Sequence, residues 1–532
     1  MKISHRSLLF YTVFLAILSL GFWLRVSNIN ERPMHGDEAN QAYQFQTLVE
    51  KGSYKYEPRD FHGPTLYYLT LPFYKIAGPA TFSEAQKWHF RGVTVLFSLL
   101  TALAVLLFMD VLGKAGVLTL TLFQMISPSM VYYSTYFIQE TLLVCFITFF
   151  CGCLWRLWRR PSLLWSIGAG ASLGLLHATK ETFVLSLGAL AFVGIIGCVL
   201  FDRVDFKKFN KRHILSLSFS ALFISVLFYS SFFSNPSGPI DSLTSFVSHV
   251  ERGLGGDDFP ENMTSGAGHT KPFTYYLDNI IGYYPRKLSS TAKDIFRNSP
   301  ARPITEIFFL LASFGGLFYL GKSSRSQRFH IYTLSYTLAL TLAYSLIPYK
   351  TPWCMLSFHF GLMFCSAMTV KRVLRSKKLY FKWTLLLIGG IFMLDLVRQS
   401  MLINSEEFCT SDRNQFAYVQ AGYDLEDLSV RIIEMSKIDG RLDEMPIHFF
   451  TPEYWPLPWY LKQFSKVGYH EHDMPKNDIK SLPIIVSTPD RQDVASILSQ
   501  THIAESRGRL PGYFLTVYYR KDLWQRFMSI KN

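Results

Sequence analysis

Eleven apolar runs of about 17–22 residues divide the first 400 residues of this chain. A helix of that length crosses the hydrocarbon core of a bilayer. The runs cover residues 7–26, 91–109, 115–133, 138–157, 163–178, 182–200, 213–233, 304–320, 331–347, 353–370 and 381–399. Because 49% of the 532 residues are hydrophobic and 16% are aromatic, the chain is too apolar for an ordinary soluble protein. The sequence predicts a polytopic α-helical membrane protein with about 11 transmembrane helices.

The first run follows two basic residues, Lys2 and Arg6, as the apolar segment of a signal peptide does. However, the stretch Leu8–Val26 is longer than the apolar core of a signal peptide, and no small-residue cleavage site follows it. We therefore expect an uncleaved first transmembrane helix.

The basic residues lie in short loops between the apolar runs, which explains a net charge of +14 without nucleic-acid binding. One set of loops carries most of them: Lys2, Arg6, Lys114, Arg156, Arg159, Arg160, residues 203–212, Lys322, Arg325, Arg328 and residues 371–378. By the positive-inside rule this set and the N-terminus are cytoplasmic. The other set faces outward and comprises loops 27–90, 134–140 and 234–303, the turns at 178–182 and 348–353, and the tail. We expect a multi-pass protein of the inner or plasma membrane of the cell.

The composition becomes that of a soluble protein after about Glu406. Strand-like segments at Pro446–Thr451, Leu482–Ser487 and Tyr513–Tyr519 alternate with helix-like segments at Asp424–Ile438 and Asp490–Gln500. We therefore expect two parts, a transmembrane module at 1–400 with outer loops 27–90 and 234–303, and a small extracytoplasmic α/β domain at 401–532.

Two adjacent carboxylates, Asp37 and Glu38, follow the first predicted span. Burial and nearby cations tune carboxylates in such a position into bases, so we predict that Asp37 is the catalytic centre. The alternative is that the pair only caps the next helix or lies in a solvated loop. Glu140 poses the same choice, because a carboxylate that opens an apolar run either caps that helix or faces a polar cavity.

Four basic side chains in the outer loops are candidates for holding a phosphate: Arg59, His62, Lys180 and Lys350. Each also has an ordinary interpretation. His62 is suited to bonding the backbone of its loop, Lys180 to pairing with Glu181 in water, and Lys350 to reaching lipid headgroups. Together on one face, they favour a site for a phosphate carried by a lipid.

These residues fit the transfer of a sugar from a polyprenyl phosphate to a hydroxyl, which needs one carboxylate base and cations for the departing phosphate. The first alternative is a polyprenyl-linked sugar flippase or transporter, which needs ionisable residues in the middle of its spans. The candidates, Asp395 and Arg398, both lie near the outer end of one run. The second alternative is a non-catalytic sugar-binding scaffold, in which Trp455, Trp459 and Tyr460 would stack on sugars.

Several motifs, in a characteristic order, resemble those of a known group of membrane enzymes. They are His35-x-Asp37-Glu38, His62-Gly63-Pro64-x-Leu66-Tyr67-Tyr68, Ser127-Pro128 with Tyr132-Tyr133-Ser134 and Glu140, Ala178-Thr179-Lys180-Glu181-Thr182, Lys350-Thr351-Pro352-Trp353, and Tyr454-Trp455-Pro456-Leu457-Pro458-Trp459-Tyr460. With them the chain resembles the GT-C superfamily of polyprenyl-phosphate-dependent glycosyltransferases. Within this superfamily, the chain resembles glycosyltransferase family 39, the branch of protein O-mannosyltransferases and lipid A aminoarabinose transferases. It looks most like a prokaryotic subfamily of that branch.

This resemblance implies a helical bundle with an outer active site, interfacial helices in the first outer loop, and Asp37 at the position of the family's catalytic aspartate. Glu140 falls where the family often has a second acidic residue. The aminoarabinose transferases have a Glu-Lys pair that supplies a metal ligand and a phosphate contact, where this chain has Phe61 and His62. Arg59 or Lys180 would then supply the charge.

The predicted enzyme is an inverting hexosyltransferase with a polyprenyl-phosphate sugar donor and a lipid, protein or glycan acceptor. Asp37 takes the acceptor proton, Glu38 and Glu140 position the sugar or a metal, and Arg59, His62, Lys180 and Lys350 hold the phosphate. The oxygen ligands of Glu38 and Glu140 make a divalent cation, Mg²⁺ or Mn²⁺, an option that the sequence does not require.

Overall fold

The computed structural model describes most of the chain as helices that pack side by side, followed by a small sheet. The described residues are 5–59, 61–200, 210–253, 269–282, 305–315, 325–471, 477–510 and 512–531. Much of the predicted outer loop 234–303 therefore lies outside the described residues.

Each of the eleven apolar runs overlaps a helix of the structure. These helices are α1 (His5–Val26), α4 (Lys87–Ala104), α5 (Met109–Ile126), α7 (Glu140–Arg159), α8 (Leu163–His177), α9 (Phe183–Leu200), α10 (Lys211–Tyr229), α13 (Ile307–Phe314), α14 (Arg325–Leu346), α15 (Leu356–Leu374) and α16 (Leu379–Ile403). By length and composition, six described segments can cross a membrane, namely His5–Val26, Lys87–Ile126, Glu140–Arg159, Lys211–Tyr229, Pro352–Leu374 and Leu379–Ile403. The helical membrane protein predicted from the sequence is thus confirmed.

Shorter helices lie between these segments. They are α2 (Gly36–Lys51), α3 (Thr65–Ala77), α6 (Pro128–Ser134), α11 (Gly238–Gly253) and α12 (Tyr275–Ile281). Helix α2 buries one apolar stripe, Ala39, Ala42, Phe45 and Leu48, and it ends where Gly52 adopts a φ of 71° that favours glycine.

The C-terminal residues form a five-stranded mixed sheet in the order β2-β1-β3-β5-β4. Its strands are β1 (Ile447–Phe450), β2 (Val467–Tyr469), β3 (Ile484–Ser487), β4 (His502–Leu510) and β5 (Tyr513–Arg520). The helices around it are α17 (Tyr423–Asp439), α18 (Leu457–Tyr460), α19 (Gln492–Leu498) and α20 (Lys521–Lys531). The first three strands in this order are parallel, whereas β3, β5 and β4 pair antiparallel. The predicted α/β fold is confirmed, with β2 and β4 as strands that the sequence pattern did not indicate.

Contacts bring the predicted outer segments together at one end of the bundle, which we call the site end. The first loop reaches the 134–140 loop through Glu38, and it reaches the 178–182 turn through Tyr56. The C-terminal part contacts the first loop, where the Tyr460 hydroxyl accepts a hydrogen bond from the Met34 amide at 2.8 Å, and the 134–140 loop, where the Tyr136 hydroxyl donates to Gln420 Oε1 at 2.8 Å.

Candidate active site

Asp37 lies in the first turn of α2, where its side chain is 55% exposed. Its backbone N–H donates to His35 Nδ1 at 3.0 Å, and His35 Nε2 bonds the Tyr418 carbonyl at 3.1 Å. His35 therefore fixes the start of the helix and leaves the Asp37 carboxylate open on the surface of the site.

Glu38, in contrast, is wholly buried in an ion pair with Arg91. Arg91 donates from Nε and from Nη2, each at 2.8 Å, and the Phe137 amide donates at 3.0 Å. Burial by itself would raise the pKa of Glu38, but the charge and hydrogen bonds of Arg91 lower it to about 2. Glu38 also accepts from the His35 amide at 3.2 Å, so the helix-capping alternative describes part of its role.

Glu140 and Lys180 form a second buried ion pair, with side chains only 5% and 7% exposed. Burial would lower the pKa of Lys180, and the adjacent Glu140 carboxylate raises it instead. Lys180 therefore pairs with Glu140 on the preceding helical hairpin and not with its neighbour Glu181. Its charge is already neutralised, which makes it a poor partner for a phosphate.

Glu181 belongs to a third cluster with two histidines, His62 and His249. Its Oε2 lies 2.6 Å from His62 Nδ1 and 3.4 Å from His249 Nε2, while the Tyr56 hydroxyl donates to Oε1 at 3.2 Å. Burial would raise the pKa of Glu181, but the two imidazoles lower it to about 2, so it is ionised at neutral pH. The three ligand atoms lie within 4.8 Å of one another, a His₂Glu set of the kind that binds zinc.

Two lysines form a basic corner beside His35. The segment 269–271 pairs with 348–350, where the Lys350 amide donates to the His269 carbonyl at 2.8 Å. Lys271 Nζ lies 5.6 Å from the centre of the Tyr418 ring, and Lys350 Nζ donates to the Lys271 carbonyl at 3.1 Å. Burial lowers the pKa of both lysines. Among the described residues no carboxylate lies within ion-pair distance of either lysine.

The predicted site residues therefore fall into separate groups. Asp37 follows His35, which contacts Tyr418, and Lys350 lies with Lys271. Lys180 pairs with Glu140, and His62 lies with Glu181. Arg59 is exposed on the first loop, next to Pro58, whose carbonyl accepts from Ser248 of α11. Glu38 and Glu140, the predicted ligands of a divalent cation, are each paired with a basic side chain that would compete with the metal. The cluster of His62, Glu181 and His249 is a better ligand set.

Sequence reasoning missed several partners: Arg91, His249, Lys271 and the pair Glu306–His359. Arg91 is the first residue of the apolar run 91–109, and His359 lies inside the run 353–370, so each is an isolated polar residue in its run. In the structure the Glu306 carboxylate accepts a hydrogen bond from the Ser127 hydroxyl. His359 Nε2 lies 3.2 Å from Glu306 Oε1, and the side chains of Glu306 and His359 are fully buried. The sequence signal for Arg91 and His359 was an ionisable residue in an apolar run.

The C-terminal part forms one wall of the site end. Lys87 at the start of α4 pairs with Glu426 of α17 at 2.7 Å, and the Tyr43 hydroxyl donates to the Pro458 carbonyl at 3.1 Å. Trp455 lies against Gly36, where a Cβ atom would stand 3.7 Å from that of the tryptophan. The residue next to Asp37 is thus in contact with the C-terminal part.

No protein-family model matches the sequence, and no curated protein matches it. The solved structures whose fold is similar to that of this chain are membrane glycosyltransferases. ArnT from Cupriavidus metallidurans bound to undecaprenyl phosphate has a TM-score of 0.61 and 12% identity, over 96% of this chain and 98% of ArnT. The oligosaccharyltransferase of Archaeoglobus fulgidus in its apo form has a TM-score of 0.55 and 12% identity, over 94% of this chain and 74% of that one. The chain has the fold of the GT-C glycosyltransferases, as its motifs predicted.

Proposed function

We propose that this protein is a membrane glycosyltransferase that moves a sugar from a polyprenyl-phosphate donor to a hydroxyl acceptor at the site end. The observation that carries the proposal is the contrast among the three predicted carboxylates. Glu38 and Glu140 are buried in ion pairs, while Asp37 is open to the surface and held by its first-turn contacts. An open carboxylate that is linked through His35 and Tyr418 to a basic corner fits a base-assisted displacement from phosphate.

In this reaction the acceptor oxygen forms a bond to the anomeric carbon as the bond from that carbon to the phosphate oxygen breaks. Asp37 takes the acceptor proton, and the phosphate departs with the electron pair of the broken bond. Attack from the face opposite the leaving group inverts the anomeric centre. Glu38 and Glu140 keep the surrounding loops in place without touching the reacting atoms.

The donor phosphate is held by Lys271 and Lys350 in this proposal. The Lys271 ammonium lies near the ring of Tyr418, and that of Lys350 donates to the Lys271 carbonyl. The Tyr418 carbonyl is bonded to His35 and so to the start of the Asp37 helix. The single negative charge of the donor phosphodiester, and the second charge that develops as the bond to the sugar breaks, would supply the counter-charge that the described residues do not. The other predicted phosphate ligands have different surroundings. Arg59 is exposed on the first loop, His62 contacts Glu181, and Lys180 pairs with Glu140.

Replacing Lys271 with methionine is expected to raise the KM for the polyprenyl-phosphate donor by about 10- to 100-fold, because a hydrogen bond to a charged group contributes about 1.5–3 kcal/mol. The KM for the acceptor should stay the same. Lys55→Met is the matched control, since Lys55 is 75% exposed in the first loop and pairs only loosely with Glu57 at 3.6 Å. Equal donor KM values for the two variants would remove Lys271 from the phosphate site.

The cluster of His62, Glu181 and His249 is proposed to bind one divalent metal ion. Two imidazoles and a carboxylate favour zinc over Mg²⁺, which prefers oxygen ligands. The Tyr56 hydroxyl is already bonded to Glu181 and would orient it as a ligand. A metal bound there would add positive charge beside the first loop, which also carries Arg59.

We expect the purified protein to retain about one zinc ion per chain after dialysis, and His249→Ala or Glu181→Gln to lose it, because a ligand set reduced to two protein groups binds zinc weakly. Elemental analysis of the protein measures this without reference to activity. His470→Ala is a matched control, since His470 forms a histidine pair with His448 at 2.7 Å. Retention of metal by both triad variants would contradict the assignment.

The proposed function is tested with the full chain in lipid nanodiscs, supplied with labelled sugars on polyprenyl phosphates and with membrane extract as acceptor. Transfer to a hydroxyl product with an inverted anomeric centre would support it. Lipid binding without any transfer, from a panel of hexose and pentose donors, would instead favour a flippase or a scaffold.

A further inference from the structure

Gln41 lies one helical turn after Asp37 on α2. Residues four apart in a helix are neighbours on its surface, with about 5–6 Å between their Cβ atoms. Side chains of a helix also lean toward its N-terminus, which brings the Gln41 side chain toward the turn that carries Asp37. Only 8% of Gln41 is exposed, whereas the Asp37 side chain is 55% exposed. A nearly buried amide therefore lies beside the open carboxylate.

The amide oxygen of Gln41 accepts two hydrogen bonds. The Tyr67 hydroxyl of α3 donates to Oε1, and Gln139 Nε2 from the 134–140 loop donates to it at 3.0 Å. Both donors are held inside the protein, with exposed fractions of 0% for Tyr67 and 1% for Gln139. The Tyr67 ring also packs against the Tyr54 ring at 4.8 Å. Two buried segments outside α2 thus fix the orientation of the amide group.

The amide nitrogen of Gln41 is left as a donor. Because Oε1 faces Tyr67 and Gln139, Nε2 and its two N–H groups are turned away from them. Within the described residues no group accepts a hydrogen bond from Nε2, and Nε2 is not one of the polar atoms that are sealed from solvent without a partner. The structure therefore presents a fixed donor, open to the site, beside the carboxylate of Asp37.

The chemistry of the reaction decides which sugar atom suits this donor. In the displacement the acceptor oxygen lies between Asp37 and the anomeric carbon, about 3–3.5 Å from that carbon. Two polar atoms of the sugar flank the anomeric carbon, namely the ring oxygen and the hydroxyl on C2. A hydrogen bond to the ring oxygen would oppose the positive charge that develops there in an oxocarbenium-like transition state. A hydrogen bond to the C2 hydroxyl strengthens in that state instead.

We propose that Gln41 Nε2 donates a hydrogen bond to the C2 hydroxyl of the transferred sugar and so selects donors in which this hydroxyl is present. The assignment rests on the proposed function, because it needs a sugar at Asp37. The substrate class is then a polyprenyl-phosphate hexose or pentose with a free hydroxyl on C2. Tyr67 and Gln139 are positioning residues, since they hold the amide without touching the sugar.

The test compares two donors on one preparation of the full chain in nanodiscs. The first is decaprenyl phosphate with whichever of glucose, mannose, galactose and arabinose the wild type transfers fastest, and the second is the same donor without its 2-hydroxyl. The ratio of their kcat/KM values is expected to be about 5- to 10-fold lower in Gln41→Met than in wild type. The intrinsic reactivity of each donor and the folded fraction of each preparation cancel when these ratios are compared.

Gln46→Met is the matched control, because Gln46 lies on the same helix and its amide donates to Glu50 at 2.6 Å. Its ratio should equal that of wild type. Tyr67→Phe removes one of the two donors to the Gln41 oxygen and keeps the Gln41 amide, so it should lower the ratio by a smaller factor, about two- to threefold.

A ratio in Gln41→Met that equals the wild-type ratio would overturn the assignment and leave the proposed function standing, since the wild type would still transfer sugar. Absence of transfer by the wild type from all four donors would contradict the proposed function, and the assignment with it. The two failures are therefore distinguished by the wild type alone.

Discussion

The Asp37→Asn variant is expected to lose about 10²–10⁴-fold in the rate of sugar transfer, while the protein keeps its fold and its affinity for polyprenyl phosphate. The amide has the shape of the carboxylate but cannot take the acceptor proton. The backbone N–H of residue 37 still donates to His35 Nδ1, so the start of α2 is preserved. Single-turnover transfer from a labelled donor, at saturating donor and acceptor, measures the chemical step directly.

A matched control for this variant is Glu57→Gln, which removes a carboxylate of similar exposure, 52%, from the same loop. Its transfer rate should stay within about twofold of wild type, since surface substitutions away from special contacts have small effects. If Asp37→Asn transfers as fast as Glu57→Gln, then Asp37 is not the base. Attention would then move to Glu140, whose release from Lys180 would have to accompany substrate binding.

The sequence predicted the fold well because its signals are local. Each apolar run encodes one helix by itself, and each strand with a continuous apolar core, such as Ile484–Ser487, was recognised. The edge strand His502–Leu510 was missed because it carries Glu505, Arg507 and Arg509. Charged residues are common on exposed edge strands, and they lower the hydropathy by which a strand is recognised in the sequence. Val467–Tyr469 is too short to have a pattern.

The sequence indicates candidate site residues more readily than the partners of those residues. Glu38 and Lys180 were singled out as polar groups in the outer loops, but which side chain neutralises each of them depends on contacts between distant segments. Arg91 is 53 positions from Glu38 in the chain, and Lys180 is 40 positions from Glu140. A charge that the sequence singles out is therefore a candidate for function only when the fold leaves it without an opposite charge, as the described part of the chain does for Lys350.

Replacing Arg91 with methionine is expected to lower the free energy of unfolding by about 3–5 kcal/mol, because the buried Glu38 carboxylate loses its two short ionic hydrogen bonds and keeps only the more distant Arg32, at 3.9 Å, as a counter-charge. Arg91 also donates to the carbonyls of Ile29, Arg32 and Pro33 at 2.8–3.2 Å, which would lose their hydrogen bonds. Unfolding in detergent, followed by circular dichroism, measures the change. The matched control is Lys466→Met, which breaks a pair with Glu444 that is more than half exposed and should cost less than about 1 kcal/mol.

The double variant Arg91→Met, Glu38→Gln separates stability from catalysis. Removing both charges takes away the carboxylate that had lost its short ionic hydrogen bonds, and the amide oxygen of the substituted side chain can still accept from the Phe137 amide, so at least about half of the lost stability should return. If Glu38 only holds the first turn of α2, the double variant should transfer sugar within about tenfold of wild type. A double variant that is stable and binds donor but is as inactive as Asp37→Asn would assign Glu38 a direct role at the substrate, because the fold would then be intact and the base still present.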